Sequence, residues 1–288
     1  MKGVILAAGY GTRFLPGSKT IPKEMFPLID TPAIDLIVRE FAEAGIRDVL
    51  VVTSRRKKSL EDYFDREVEL EALFADEGNA DKQRQIEPAQ LNFFFLRQQR
   101  MAGTADALLQ VEPFVGNEPF VVAYPDDILL QGPSLSGQLM QLHRETGKIV
   151  LAAQELPKGD VSRYGVIDSH EQDGVELVRA MVEKPAPGTE PSRLVSYGRY
   201  VYTSEIFPAL EKIRHHQAGS EEFTQTEVVN QLAEAGRVVV KRFEGRLIDV
   251  GTPQGYLHAI VEYGLYREEF REPLLDYLQA VLTREGRA

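Results

Sequence analysis

Four apolar stretches punctuate the first half of the chain, and each ends abruptly at residues that cannot continue it. Val4 to Ala8 breaks into Gly9-Tyr10-Gly11-Thr12-Arg13, and Val49 to Val52 closes at Thr53-Ser54. Leu91 to Leu96 ends in Arg97-Gln98-Gln99, and Phe120 to Tyr124 in Pro125-Asp126-Asp127. The near-continuous apolar character of residues 2–8 predicts a strand covered on both faces. Between the first two stretches Ile34, Ile37, Val38 and Phe41 recur at helical spacing. Thr31-Pro32 predicts an N-cap with proline at the first helical position, and Gly45 predicts the stop. This strand–loop–helix–strand order is a βαβ unit, whose two strands run parallel.

Residues 55–90 are mostly charged, with short apolar faces at Leu60, Tyr63, Phe64 and at Val68, Leu70, Leu73, Phe74, which predicts an exposed helical insert. Further helices are expected from Gly103 to about Val111 and near 134–146, with a strand at 149–154. The pattern then changes. Tyr164 to Asp168, Val175 to Val182 and Leu194 to Tyr202 alternate or run β-branched between turn residues, as in antiparallel pairing. Helices at Ile206 to Ile213 and Thr226 to Ala235 precede strands at Val238 to Phe243 and Leu247 to Val250. After Pro253, Leu257, Ile260, Val261, Gly264 and Leu265 share one helical face, and Leu274, Leu278, Val281 and Leu282 repeat it in the tail. The expected class is α/β: a Rossmann-like, mixed and mainly parallel central sheet flanked by helices, with a small β-rich part and C-terminal helices. Residues 1–268 form one unit, divided near 155 and reaching the end of its second part near 252, and residues 269–288 are an appended helical tail.

Charge and composition narrow the function. Net charge is −11, from 44 acidic against 33 basic residues, which opposes broad nucleic-acid or membrane-surface binding. It leaves room for one small anion held by a few local cations. The absence of cysteine excludes disulfides and thiolate metal sites and is compatible with a reducing cytoplasm. No signal peptide or membrane span is read in the chain.

The candidate chemistry gathers where strands end. A buried strand opening into a Gly-rich loop lets backbone N–H groups approach a phosphate closely. Arg13, Lys19 and Lys23, among the turn formers Pro16, Gly17 and Pro22, add the charge a polyphosphate needs. Asp126 and Asp127 follow the Phe120 to Tyr124 strand; carboxylates beside a polyphosphate imply a divalent cation between them, although Pro-Asp-Asp is also ordinary turn chemistry. Asp249, before Val250-Gly251-Thr252, would complete the metal's protein ligands, or would simply cap the next helix. Glu183-Lys184 would offer a carboxylate to sugar hydroxyls and an ammonium to a phosphate, or would be a surface ion pair. Gly165 would let backbone approach a ligand. Gln98 would read a base edge and Gly103 would let a flat base lie against the backbone, the bland reading of Gln98 being an exposed strand end. No histidine shows metal spacing: His215 and His216 sit at a polar helix end, and His143, His170 and His258 are isolated. Gly9-Tyr10-Gly11 lacks the third glycine of the dinucleotide fingerprint, and no Gly-Lys-Ser/Thr opens a helix, so dehydrogenase and Walker-loop readings fail.

Leu6-Ala7-Ala8-Gly9-Tyr10-Gly11-Thr12-Arg13 with Pro22-Lys23-Glu24-Met25 resembles the signature of sugar-1-phosphate nucleotidyltransferases, and the resemblance extends through nearly the whole chain. Within that family it is most similar to bacterial UTP–glucose-1-phosphate uridylyltransferases. Ser162-Arg163-Tyr164-Gly165-Val166, Val182-Glu183-Lys184-Pro185 and Gly198-Arg199-Tyr200-Val201 carry this closer likeness. The resemblance implies that Ala8, Gly9, Gln98 and Gly103 hold the pyrimidine and Arg13 and Lys23 the triphosphate, with Gly11 and Thr12 also among the nucleotide-binding residues. It implies Mg²⁺ on Asp126 and Asp249, glucose on Gly165 and Glu183, and the sugar phosphate on Lys184. The catalytic set is then Arg13, Lys23, Asp126, Lys184 and Asp249. The implied substrates are UTP and glucose 1-phosphate; the expected location is cytoplasmic, and Leu274, Leu278, Val281 and Leu282, coming after the core is complete, predict a homodimer or homotetramer. One stretch departs from the pattern: Ala102-Gly103-Thr104-Ala105-Asp106 replaces the Lys-Gly-Leu-Gly-His of uridylyltransferases and is more like other nucleotidyltransferases. That keeps dTTP or another sugar phosphate open; a non-catalytic nucleotide-sugar sensor is a separate alternative, against which the intact Arg13, Lys23, Asp126 and Asp249 argue.

Overall fold

The computed structural model describes residues 1–156, 160–216 and 224–287, without the side chains of His215 and His216. The expectation that those two histidines are solvated lies outside it. Alternate residues of the central strands explain the apolar runs. Val4, Leu50, Val52, Phe120 and Val122 enter one hydrophobic core, while Ile5, Val49, Val51, Val121 and Ala123 enter another on the opposite face. A strand buried on both sides has no polar face to alternate with.

The nine strands of the main sheet lie in the order Asn92–Arg97, Asp48–Thr53, Lys2–Leu6, Phe120–Ala123, Leu194–Tyr202, Ile149–Glu155, Val238–Arg242, Val175–Glu183 and Gly165–Gln172. The first four are mutually parallel, as the sequence pattern predicts. Leu194–Tyr202 and Val175–Glu183 run against the others, so the sheet is mixed with one dominant direction. Helix Ala33–Glu43 buries Ile34, Ile37, Val38 and Phe41 on one face. Its start differs from the sequence expectation. Thr31-Pro32 is not a cap and first turn but pairs with Pro27–Leu28 as a two-residue ribbon, and the Thr31 hydroxyl donates to Asp30 Oδ1 at 2.8 Å. The helix therefore begins at Ala33 without a side-chain cap.

The charged insert is helical, at Lys58–Phe64, Val68–Asp76 and Ala80–Ile86, and the middle helix buries no residue. Gly165–Gln172 and Val175–Glu183 form an antiparallel hairpin whose open end, Gly165 opposite Glu183, is returned to the sheet where Gly165 pairs with Ser196. One strand was not legible in the sequence: Asp127–Gln131 pairs antiparallel with Arg246–Asp249 in a separate ribbon. Helix Pro253–Tyr266 follows it, with Ala259 and Tyr263 buried. The tail helix Glu268–Arg284 buries none of its residues, although Leu274 lies over Gly264 of its own chain. No helix among the described residues is long and apolar enough to cross a membrane.

Candidate active site

The parallel strands put their carboxyl ends on one edge, where ligands of open α/β sheets bind. The loop after Lys2–Leu6 turns at Gly11, whose φ of 67° favours glycine. There the Ser18 hydroxyl donates to Gly11 O at 2.7 Å, and a Cβ on Gly11 would come within 3.4 Å of Lys23 Cβ. The loop is thus folded down onto Lys23. A Cβ on Gly9 would meet nothing within 4 Å, so glycine there answers to no packing demand inside the chain. Gly9, Thr12 and Arg13 are exposed to the cleft side, Ala8 is buried beneath them, and the Arg13 guanidinium reaches Gly251 O at 3.5 Å.

Lys23 donates to Asp126 Oδ2 at 2.7 Å. Burial works to lower the Lys23 pKa, but the charges of Asp126 and Glu24 outweigh it and hold the pKa above its ordinary value. The ammonium is fully charged at neutral pH. Burial likewise opposes ionisation of Asp126, yet Lys23 beside it brings the carboxyl below its usual range. Asp127 is different: burial and then the Asp126 charge push it up to about 7, and its Oδ2 accepts from the Gly198 amide at 2.6 Å. Of the two adjacent carboxylates, one faces the cation and the other is tied to the backbone.

The short ribbon brings the second metal candidate to the first. Asp249 stands opposite Asp127, and Val250 N donates to Asp126 O at 2.8 Å. Asp249 is not the cap of the next helix; Thr252 is, accepting from Gly255 N at 3.1 Å. Instead Asp249 Oδ1 accepts from Gly251 N at 2.7 Å, and Arg163 approaches its Oδ2 at 3.5 Å. A Cβ on Gly251 would stand 2.9 Å from both Asp126 Oδ2 and Asp249 Oδ1. The two carboxylates therefore converge on a point that only glycine leaves open. Among the described residues no group of three or more His, Cys, Asp or Glu side chains is arranged to hold a metal. Two carboxylates fit a cation that takes its remaining ligands from phosphate oxygens and water, as Mg²⁺ does. A cavity of about 280 Å³ adjoins Asp249, lined by Arg163, Tyr164, Thr252, Gln254 and His258 among others.

The hairpin supplies the other wall. A Cβ on Gly165 would lie 3.3 Å from Glu183 Oε2, so these two share one spot. Lys184 Nζ lies 3.2 Å from Glu183 Oε1, and Lys184 holds a positive φ of 45°, a conformation that non-glycine residues seldom take. Arg163, two residues before Gly165, joins this wall to the first through Asp249, and Tyr124 is a half-buried residue packed against Tyr200. Burial raises its hydroxyl pKa first, then Tyr200, and after these the charges of both Glu183 and Asp126.

Several supporting residues carry no local sequence signal. Glu24 and Lys57 are buried, 2% and 4% exposed, and Lys57 Nζ donates to both Glu24 oxygens at 2.8 and 2.7 Å and to Ala7 O. This pair fastens the Lys23 turn to the end of the first strand. Arg199, wholly buried, donates to both Glu40 oxygens at 3.0 and 2.9 Å and to Asp127 O at 3.0 Å. Gln98 is buried, not an exposed strand end, and its amide nitrogen is held by Asp106 Oδ2 at 2.9 Å and Gly103 O at 3.3 Å. His143 is structural, its Nδ1 meeting Lys148 O at 2.7 Å.

Comparison with known proteins bears on the family and the fold. The family model for nucleotidyl transferases matches residues 2–264. A UTP–glucose-1-phosphate uridylyltransferase of Staphylococcus epidermidis is 39% identical over 96% of this chain and 97% of its own. A crystal structure of UDP-glucose pyrophosphorylase complexed with UDP-glucose superposes with a TM-score of 0.80 at 36% identity, over 92% of this chain and 99% of that one. The UTP-bound enzyme of Acinetobacter baumannii gives a TM-score of 0.84 at 32% identity, over 98% of both chains. A match of this length, onto a fold whose strand ends bring Lys23, Asp126 and Asp249 together, has one meaning: the chain belongs to the nucleotidyl transferase family, among relatives that are UTP–glucose-1-phosphate uridylyltransferases.

Proposed function

We propose that the protein transfers a uridylyl group from UTP to glucose 1-phosphate, giving UDP-glucose and pyrophosphate, with Mg²⁺ as cofactor. The observation that supports this reading is the convergence of Asp126 and Asp249 on Gly251, with Lys23 bonded to Asp126 and Arg163, two residues before Gly165, reaching Asp249. A phosphate oxygen of the sugar attacks the α-phosphorus of UTP, and pyrophosphate leaves in line. The second pKa of a phosphate monoester lies near ~6, so the nucleophile is already anionic at neutral pH and needs no general base. The barrier is electrostatic, since two unit charges ~4 Å apart repel by ~4 kcal/mol at an effective dielectric of 20.

Arg13 and Lys23 meet the triphosphate, Lys184 meets the sugar phosphate, and Gly165 with Glu183 orients the glucose hydroxyls. Asp126 and Asp249 would hold the Mg²⁺, which supplies charge neutralisation at the phosphates. Lys23 enters this site already charged and already aimed, which is positioning as much as attraction. Ala8, Gly9, Gly11 and Thr12 line the nucleotide side, with Gln98 and Gly103 at the base. Thymidylyl transfer is the second reading, favoured by the Gly103-Thr104-Ala105-Asp106 stretch. We further infer a homodimer or homotetramer assembled through the tail, where Leu275, Tyr277 and Leu282 are exposed.

Pyrophosphate release from UTP or dTTP, each with glucose 1-phosphate and Mg²⁺, tests the function. Faster turnover with dTTP would shift the assignment to thymidylyl transfer. Asp126→Asn and Lys23→Ala should each lower turnover by orders of magnitude with the fold retained; a near-wild-type rate in either would remove that residue from the mechanism.

A further inference from the structure

Gln98 has its backbone fixed, its N–H donating to Thr53 O at 2.9 Å, and its side chain is buried. Its amide nitrogen carries two hydrogens, and two acceptors take them: Asp106 Oδ2 at 2.9 Å and Gly103 O at 3.3 Å. A carboxylate and a main-chain carbonyl accept and cannot donate. Turning the amide over would set its oxygen against both of them. Gln110 Nε2 also donates to Asp106 Oδ2, at 2.9 Å, and holds that oxygen in place. Among the described residues no donor reaches Gln98 Oε1, and that atom is not fully sealed from solvent. The carbonyl is the end left for a ligand.

We propose that Asp106 is the positioning residue that sets base specificity: by holding the nitrogen of Gln98, it presents a carbonyl to the base and so selects a pyrimidine with an N–H at ring position 3 over one that accepts there. Uracil and thymine carry that N–H. Cytosine has an acceptor at the same place and would meet the Gln98 oxygen with repulsion. The inference rests on the reading of Gln98 as the base contact. It also gives a role to the position at which this chain departs from the Lys-Gly-Leu-Gly-His pattern. An acidic residue in the first turn of a helix is favourable without any such role. Asp106 sits in the first turn of Thr104–Leu109, but its carboxylate turns back to the strand end.

Asparagine at 106 can donate as well as accept, so with its own amide and that of Gln110 turned over it lets Gln98 reverse, opposed by Gly103 O alone. The test is the affinity of unmodified protein, Asp106→Asn, Asp106→Ser and Asp106→Glu for UTP, dTTP and CTP, by calorimetry with Mg²⁺ and no sugar phosphate. The unmodified protein should prefer UTP to CTP. In Asp106→Asn and Asp106→Ser that preference should fall about ten- to a hundredfold, with the dTTP:UTP ratio unmoved and the melting temperature of the free protein near that of the unmodified chain. Asp106→Glu, which restores the carboxylate, should recover part of the preference. A purely structural role would weaken all three nucleotides in parallel, and that result overturns the proposal, as does a UTP:CTP ratio retained in either the Asn or the Ser variant. If the unmodified protein binds no nucleotide, the nucleotidyl-transfer reading falls together with this one. Binding of UTP and CTP with equal affinity overturns the Asp106 proposal alone.

Discussion

Glu24→Gln is the substitution that most directly tests how the Lys23 turn is held. It preserves shape and removes the charge facing Lys57, whose ammonium is bonded to both Glu24 oxygens in a site closed to solvent. Burial already lowers the Lys57 pKa, and the Glu24 charge is the main influence opposing that. Two routes are open to the variant. Keeping Lys57 charged without its partner costs about 3–5 kcal/mol. Releasing the proton of a lysine with ordinary pKa near ~10.4 at pH 7 costs about 5 kcal/mol. The cheaper route sets the loss, which therefore falls at about 3–5 kcal/mol, a large fraction of the roughly 5–15 kcal/mol that holds a folded domain. Denaturant unfolding at pH 7 measures it. Repeating the measurement at pH 9 separates the routes. If Lys57 is neutral in the folded variant, the unfolded chain binds one more proton, so the deficit shrinks by about 1.4 kcal/mol for each pH unit gained. A loss below about 1 kcal/mol at pH 7 would refute the picture of a sealed pair fastening the loop. Replacing both partners, as Glu24→Leu with Lys57→Met, should cost less than the single change, because no charge is left stranded.

Gly251→Ala should raise the Mg²⁺ concentration needed for half-maximal activity at least tenfold, since the new methyl would stand 2.9 Å from a carboxylate oxygen of both Asp126 and Asp249; an unchanged Mg²⁺ titration would contradict the shared site. Lys184→Ala should raise KM for the sugar phosphate more than KM for UTP, and equal effects would deny it a dedicated phosphate role. Asp35→Asn should gain on the unmodified protein as pH rises above about 4: burial raises the Asp35 carboxyl against the pull of Arg39, the folded chain holds that proton more tightly than the unfolded one, and stability is given up as it leaves. A pH-independent difference in denaturation midpoint would count against this. Removing residues 270–288 should shift the protein to the monomer position in size exclusion; unchanged elution would move the interface elsewhere.

The first half of the fold was legible because its strands are buried on both faces and write themselves as apolar runs. The loop was legible because few folds place glycines and cations directly after such a run. The ribbon Asp127–Gln131 was not, since Asp127-Ile128-Leu129-Leu130 follows a turn signal without a pause and carries no alternation. Missing it left Asp249 beside Asp126 as one of two local readings, the other being a helix cap, and the structure shows the pairing that brings the two carboxylates together. Thr31-Pro32 misled because cap chemistry and edge-ribbon chemistry use the same residues, and the choice is made by Leu28 on the facing strand. The Glu24–Lys57 and Glu40–Arg199 pairs join positions far apart in sequence, and no local pattern announces such a partner.

The ribbon has a bearing on how the protein comes into being. Asp126 belongs to the part of the chain made early in synthesis, and Asp249 to its last quarter; a ribosome delivers them many seconds apart. Domains tend to take shape from the N-terminus as they emerge. The N-terminal strands can therefore assemble while Arg246–Asp249 is still untranslated, and a nascent chain in that state has one of the two carboxylates proposed to hold Mg²⁺. Truncated translation products inherit the same deficiency. On the proposed mechanism, an unfinished copy is one Mg²⁺ ligand short until Arg246–Asp249 pairs with Asp127–Gln131.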